Sequence, residues 1–119
     1  MYKYFKDSEV ACKHCGKQGM DEEFMLKIEQ LRETLGFPFI VTSAYRCPEH
    51  PVEASKKTVG PHQQGRAMDI RVSREKAYRL LQAALEAGFT GIGVQQKGQV
   101  RYLHLDTCDG DTRPTIWSY

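Results

Sequence analysis

The sequence contains no apolar run approaching the ~20 residues that a helix needs to cross a bilayer, which excludes a membrane-spanning helix. Its first residues, Met1-Tyr2-Lys3-Tyr4-Phe5-Lys6-Asp7, form no apolar h-region and offer no small-residue cleavage site. A secretory leader is therefore not expected, and synthesis in a cytoplasm is. A charge excess of one sign is also missing. Seventeen Lys and Arg stand against fifteen Asp and Glu, a formal net charge of +2. A dedicated nucleic-acid binder carries a clear basic excess or stripe. Here the only dense basic spots are Lys13/Lys17 and Lys56/Lys57, which read as solvated surface. Repeats, low-complexity tracts and linkers are absent. At 119 residues the chain falls within the ~100–150 residues usual for one domain, so residues 1–119 are expected to form a single domain acting as a monomer.

Cysteine is sparse, with four residues at Cys12, Cys15, Cys47 and Cys108. Without a secretory signal a disulfide framework is not the default. Cys12-Lys13-His14-Cys15 followed by Gly16 is half of a zinc knuckle, but no second CxxC or HxxxH follows at a usual interval. Buried thiols, or one incidental bridge, are the expectation for these residues.

What is present organises itself by period. Phe24, Ile28, Leu31 and Leu35 fall at i, i+4, i+7 and i+11, predicting a helix from about Asp21 to Leu35. Asp21 caps its start, Glu22 and Glu23 suit the positive end of its dipole, and Gly36 stops it. Ala77, Leu80, Leu81, Ala84 and Leu85 predict a second helix from about Arg74 to Ala87, with Ser73 as cap and Gly88 as terminator.

Four segments read as strands: Phe39–Ala44, Ala67–Val72, Gly91–Gln95 and Arg101–Asp106. Side chains alternate across a strand. Met68, Ile70 and Val72 therefore point one way and Ala67, Asp69 and Arg71 the other. Leu103 and Leu105 share one face while Tyr102, His104 and Asp106 share the opposite one. Gly91 and Gly93 leave one face of the third strand bare. The expectation is an α+β domain, a small antiparallel sheet with helices on one face and a polar open face. Arg46–Gly65, with three prolines and no periodicity, reads as a long loop at the strand ends.

The open face carries the candidate chemistry. His62 precedes the second strand, Asp69 lies within it and His104 lies in the last. Two imidazoles and a carboxylate on one surface suit a single zinc ion with a fourth position for water, and the chemistry expected of such a centre is hydrolysis. The competing reading of each residue is local: a hydrogen-bonding surface histidine, or Asp69 paired with Arg66 or Arg71.

The run His62-Gln63-Gln64-Gly65-Arg66-Ala67-Met68-Asp69 resembles the HxxGxAxD signature of the D-alanyl-D-alanine carboxypeptidase type of zinc metallopeptidase. That group includes peptidoglycan carboxypeptidases, the dipeptidases of vancomycin resistance, phage endolysins cleaving L-alanyl-D-glutamate bonds, and the hedgehog signalling domain. Thr42-Ser43-Ala44-Tyr45-Arg46-Cys47-Pro48-Glu49-His50 resembles its S-G-Y-R-[SC]-P-x-H segment. Leu103-His104-Leu105-Asp106 resembles its second-histidine strand, and Arg113-Pro114 through Trp117 a common ending. The opening Phe5–Cys12 looks like the start of a short carboxypeptidase-like subgroup.

The resemblance implies the hedgehog/DD-peptidase fold, with His62, Asp69 and His104 binding one Zn²⁺. It implies that Arg46 approaches a substrate carbonyl or carboxylate, against the alternative of a surface salt bridge to Glu49 or Glu53. It implies peptidoglycan stem peptides as substrates, cut by a D,D-carboxypeptidase or an L-alanyl-D-glutamate-type endopeptidase acting on the cell wall after release or as part of a phage particle. The alternative is a non-catalytic zinc-containing module of the same fold. Family members often place a Glu, Asp or His two or three residues before the second histidine; here Arg101 and Tyr102 stand there. Asp106 is then either the general base or a residue that orients His104 or holds Arg46. Gly60 and Ala44 replace a serine and a glycine of the family pattern.

Overall fold

In the computed structural model, which describes residues 2–119, the two periodic helices form where the apolar stripes place them. We number the helices α1 (Asp7–Val10), α2 (Glu22–Leu35), α3 (Pro51–Ala54) and α4 (Arg74–Glu86), and the strands β1 (Ile40–Ser43), β2 (Ala67–Arg71), β3 (Gly91–Gln95), β4 (Tyr102–Asp106) and β5 (Thr115–Ser118). Asp21 caps α2 through a carboxylate that accepts the Phe24 N–H at 2.9 Å, and the helix ends at Gly36. Phe24, Met25, Ile28 and Leu31 are buried along one side. In α4 the buried stripe is narrower than expected. Ala77, Leu80 and Ala84 are interior, but Leu85 is 57 % exposed. Ser73 occupies the N-cap position of α4 without a side-chain cap bond.

The strands form one sheet in the order β1-β2-β4-β3-β5. Every pairing is antiparallel except β3 with β5. The helix face of β2, β4 and β3 offers Met68, Ile70, Leu103, Leu105 and Ile92, which join α2 and α4 in one core that includes Phe37, Phe39 and Phe89. Phe24 meets Phe89 edge-on, their ring centroids 6.0 Å apart. Each fully buried Leu, Ile or Phe contributes about 1.5–3 kcal/mol of transfer free energy, so this layer is the main source of cohesion.

Register decides what the other face holds. Asp69 lies directly opposite His104, and Ala67 opposite Asp106. On the next strand Gly93 lies opposite His104 and Gly91 opposite Asp106. The missing side chains of β3 provide room. A Cβ at Gly91 would collide with the Asp106 carboxylate, and one at Gly93 would sit 2.7 Å from Trp117 Nε1.

Two elements differ from the sequence expectation. The loop Arg46–Gly65 contains the single turn α3, begun by Pro51 and capped by His50, whose Nδ1 accepts the Val52 N–H at 3.2 Å. The final residues add β5, whose pairing with β3 sets Trp117 beside Gly93.

Candidate functional site

His62 sits in the tight turn that leads into β2. The turn is closed by Gly65 N–H to the His62 carbonyl at 3.2 Å and Arg66 N–H to the Pro61 carbonyl at 3.1 Å. Gly65 ends it with φ of +72°, and a Cβ there would strike the Gly19 carbonyl oxygen. Only glycine fits both conditions. The turn is also tied to the segment after β1: Arg46 N–H donates to the His62 carbonyl at 3.2 Å, and His62 Nδ1 lies 2.7 Å from the Ala44 carbonyl.

That last contact assigns a tautomer. A carbonyl only accepts, so Nδ1 carries the proton and Nε2 presents its lone pair. His62 Nε2 points at Asp69 Oδ1, 3.2 Å away. His104 repeats the logic from the other side. Its Nε2 lies 2.8 Å from Asp106 Oδ2 and is the donor, so its Nδ1 faces the same Asp69 Oδ1 at 2.9 Å. With its proton on Nδ1, His62 turns an Nε2 lone pair toward Asp69, and His104 turns its Nδ1 lone pair there whenever it carries only the Nε2 proton. The three ligand atoms all lie within 4.8 Å of one another, and all three residues are buried.

Such a site attracts positive charge. Burial disfavours ionised Asp69, but hydrogen bonds with His104 and His62 outweigh it and hold the carboxyl well below the usual carboxylate range. For His104, burial disfavours the charged ring, yet hydrogen bonds to Asp106 and Asp69 prevail and raise its proton affinity. A proton on His104 Nδ1 relieves part of the conflict; a divalent cation relieves all of it. The donor set, two imidazoles and one carboxylate among the described residues, fits zinc in an open site.

Asp106 is 0 % exposed. Its Oδ2 binds His104 Nε2 and Arg113 Nη2, each at 2.8 Å. Its Oδ1 accepts from Arg113 Nε at 3.0 Å and the Cys108 N–H at 3.2 Å. Burial again opposes the charge, and the bonds from His104 and Arg113 overcome it and keep Asp106 ionised far below its ordinary range. Both oxygens are thus committed behind His104.

Arg46 makes the ion pair weighed from the sequence, with Glu53, at 3.3 Å from Nη1. Its Nη2 lies 4.0 Å from Asp69 Oδ2, so one guanidinium edge still faces the site. Glu53 is buried, where the sequence offers it only as a surface partner of Arg46. Its Oε2 also meets Lys56 Nζ at 3.2 Å, and its Oε1 has no hydrogen-bond partner.

The three converging residues floor a cleft of about 430 Å³ walled by Arg46, Lys56, Pro61, Tyr102, Arg113, Trp117 and Tyr119. The Trp117 ring centroid lies 5.1 Å from that of His104, and the Arg113 guanidinium lies 5.3 Å above Trp117. Burial and the nearby Asp69 charge push the Tyr119 phenol up to about 12. The Arg113–Trp117 segment stood out in the sequence only as an ending, with nothing to place it on the cleft wall.

A family model described as Peptidase M15 matches residues 3–106, a span that includes His62, Asp69 and His104. No curated protein matches the chain.

Proposed function

The chain belongs to the peptidase M15 family of zinc D-Ala-D-Ala carboxypeptidase-type enzymes and is a metallopeptidase, a hydrolase; we propose that it cuts amide bonds flanking D-amino acids in peptidoglycan stem peptides. One observation carries the assignment of the centre. His62 Nε2, His104 Nδ1 and a carboxylate oxygen of Asp69 converge within 4.8 Å of one another, an arrangement that a cation would bridge. These three residues are the proposed zinc ligands. A zinc ion held there supplies Lewis acidity, which makes water nucleophilic near neutral pH and polarises a carbonyl.

The remaining roles belong to the chain's own groups. Of the two roles open to Asp106, geometry favours orientation. Its Oδ2 holds the His104 Nε2 proton and so keeps Nδ1 free to ligate, and Arg113 fixes the carboxylate by a two-point fork. Arg46 presents Nη2 toward Asp69 while Glu53 and the chain turn behind it fix its direction. A planar, permanently charged donor in that position receives the carbonyl oxygen as negative charge develops on it. Trp117, Tyr102 and Tyr119 line the cleft as an aromatic wall that excludes water from one side of the bound peptide. The wall and the Arg46 guanidinium suit a short peptide with a carbonyl or carboxylate directed inward.

Incubation of the purified protein with muropeptides tests the reading, with products followed by mass spectrometry. Release of a new amine or a free D-amino acid, abolished by a chelator and restored by zinc, is the expected result. No new amine, or release indifferent to chelation, would overturn it.

A further inference from the structure

A second group of metal-binding atoms lies away from the cleft, where the N-terminal segment passes the loop after β1. The sulfur atoms of Cys12, Cys15 and Cys47 lie within 4.8 Å of one another, and all are free of disulfides. Each arm is a closed turn. Gly16 N–H donates to the Cys12 carbonyl at 2.7 Å, with Gly16 at a φ of +77°. His50 N–H donates to the Cys47 carbonyl at 3.0 Å. Backbone donors are aimed at the sulfurs as well. Cys12 Sγ accepts the Cys47 N–H at 3.3 Å and further bonds from the N–H groups of His14 and Cys15, while Cys47 Sγ accepts the Glu49 N–H.

Amide N–H groups directed at the Cys12 sulfur favour its thiolate, and three sulfur atoms this close are a soft donor set for a divalent cation, which displaces their protons on binding. We propose that Cys12, Cys15 and Cys47 hold a structural zinc ion, distinct from the one in the cleft. Cys47 supplies from the loop after β1 the soft donor that Cys12 and Cys15 lack in the sequence. Three cysteine sulfurs suit zinc, with a small ligand from solvent completing the tetrahedron. His50 Nδ1 accepts the Val52 N–H, so its Nε2 carries the proton and the ring stays outside the ligand set. Cys15, the exposed member of the group, marks the side from which the ion enters.

The ion would fasten the N-terminal segment to the loop that serves the cleft. Tyr45 N–H bonds the Val10 carbonyl at 3.4 Å, and the neighbouring Ala44 and Arg46 hold the His62 turn. Nothing in this assignment depends on the cleft being catalytic.

Metal counting on the full-length chain tests it. Wild type is expected to carry two zinc ions, His104→Ala one, Cys15→Ser or Cys47→Ser one, and His104→Ala combined with Cys15→Ser none. His50→Ala and His14→Ala in the His104→Ala background are each expected to keep the remaining ion. Cobalt substituted into His104→Ala protein should show thiolate-to-metal charge-transfer absorption. Circular dichroism confirms that each variant is folded, and Cys15→Ser, altering an exposed position, is the variant that separates metal loss from collapse. A wild-type protein with one zinc that His104→Ala removes entirely would overturn the proposal, as would a disulfide among the three cysteines.

Discussion

Arg113 meets Asp106 side-on, with Nε 3.0 Å from Oδ1 and Nη2 2.8 Å from Oδ2. Asp106 is buried behind His104 and supplies the negative charge that holds its Nε2 proton, while Arg113 is half-buried at the cleft wall. Removing the guanidinium leaves an interior carboxylate with only a neutral amide and the imidazole as donors. Arg113→Ala is expected to cost about 3 kcal/mol, read by urea denaturation of the metal-free protein. A change within the error of that measurement would show that water or another cation replaces it.

Asp106→Asn keeps the shape and loses the charge that fixes the His104 tautomer. Zinc affinity at the cleft is expected to fall by about 10–100-fold, and kcat/KM with it, measured by competition with a chromogenic chelator. A variant with unchanged zinc affinity but abolished turnover would instead restore Asp106 to the role of general base.

Arg46→Lys retains the charge but not the planar fork. With the metal content unchanged, kcat/KM is expected to fall by about 10²–10³-fold, the usual cost of a lost oxyanion donor. Steady-state kinetics on a muropeptide, alongside a zinc assay, separates this from loss of the ion.

Chelation removes a cross-link between a turn and two strands. At a hundredfold excess of zinc over Kd the bound ion stabilises by about 2.7 kcal/mol, and in a domain of this size about 4 °C accompanies each kcal/mol. The expected drop in Tm is therefore about 10 °C, with the helical dichroism of α2 and α4 retained below it. The same scan on Cys15→Ser protein isolates the cleft's share.

Gly91→Ala places a methyl where the Asp106 carboxylate lies. The strand cannot yield without losing its pairing to β4, so a destabilisation of about 1–3 kcal/mol is expected, together with weakened zinc binding. Wild-type values for both would mean that Asp106 has another position available.

The sequence made the helices and the site face legible because both follow from period. Phe24, Ile28 and Leu31 mark α2, and the alternation in β2 and β4 places Asp69 and His104 on the side opposite Leu103. The family signature supplied His62, which no periodicity marks. What stayed illegible was either short or distant. α3 and β5 span four residues each, too few for a pattern to accumulate. Asp106 was placed on the correct face by its spacing from His104, but the direction of its oxygens depended on Arg113, which folds back from beyond the strand. Glu53 sits in a stretch without period and is interior only because Arg46 and Lys56 both approach it. Cys47 escaped notice as a member of the cysteine cluster because only the fold brings it beside Cys12 and Cys15.

The register Asp69 to His104 also has a consequence for quality control of the folded chain. Sliding β4 by one residue against β2 would turn His104 and Asp106 into the oily layer and bring Leu103 and Leu105 out to water. A mispaired molecule would thus be inert and sticky at once. Catalytic competence and freedom from aggregation are selected together by the same pair of strands, so the specific activity of a preparation doubles as a measure of how faithfully its sheet has zipped.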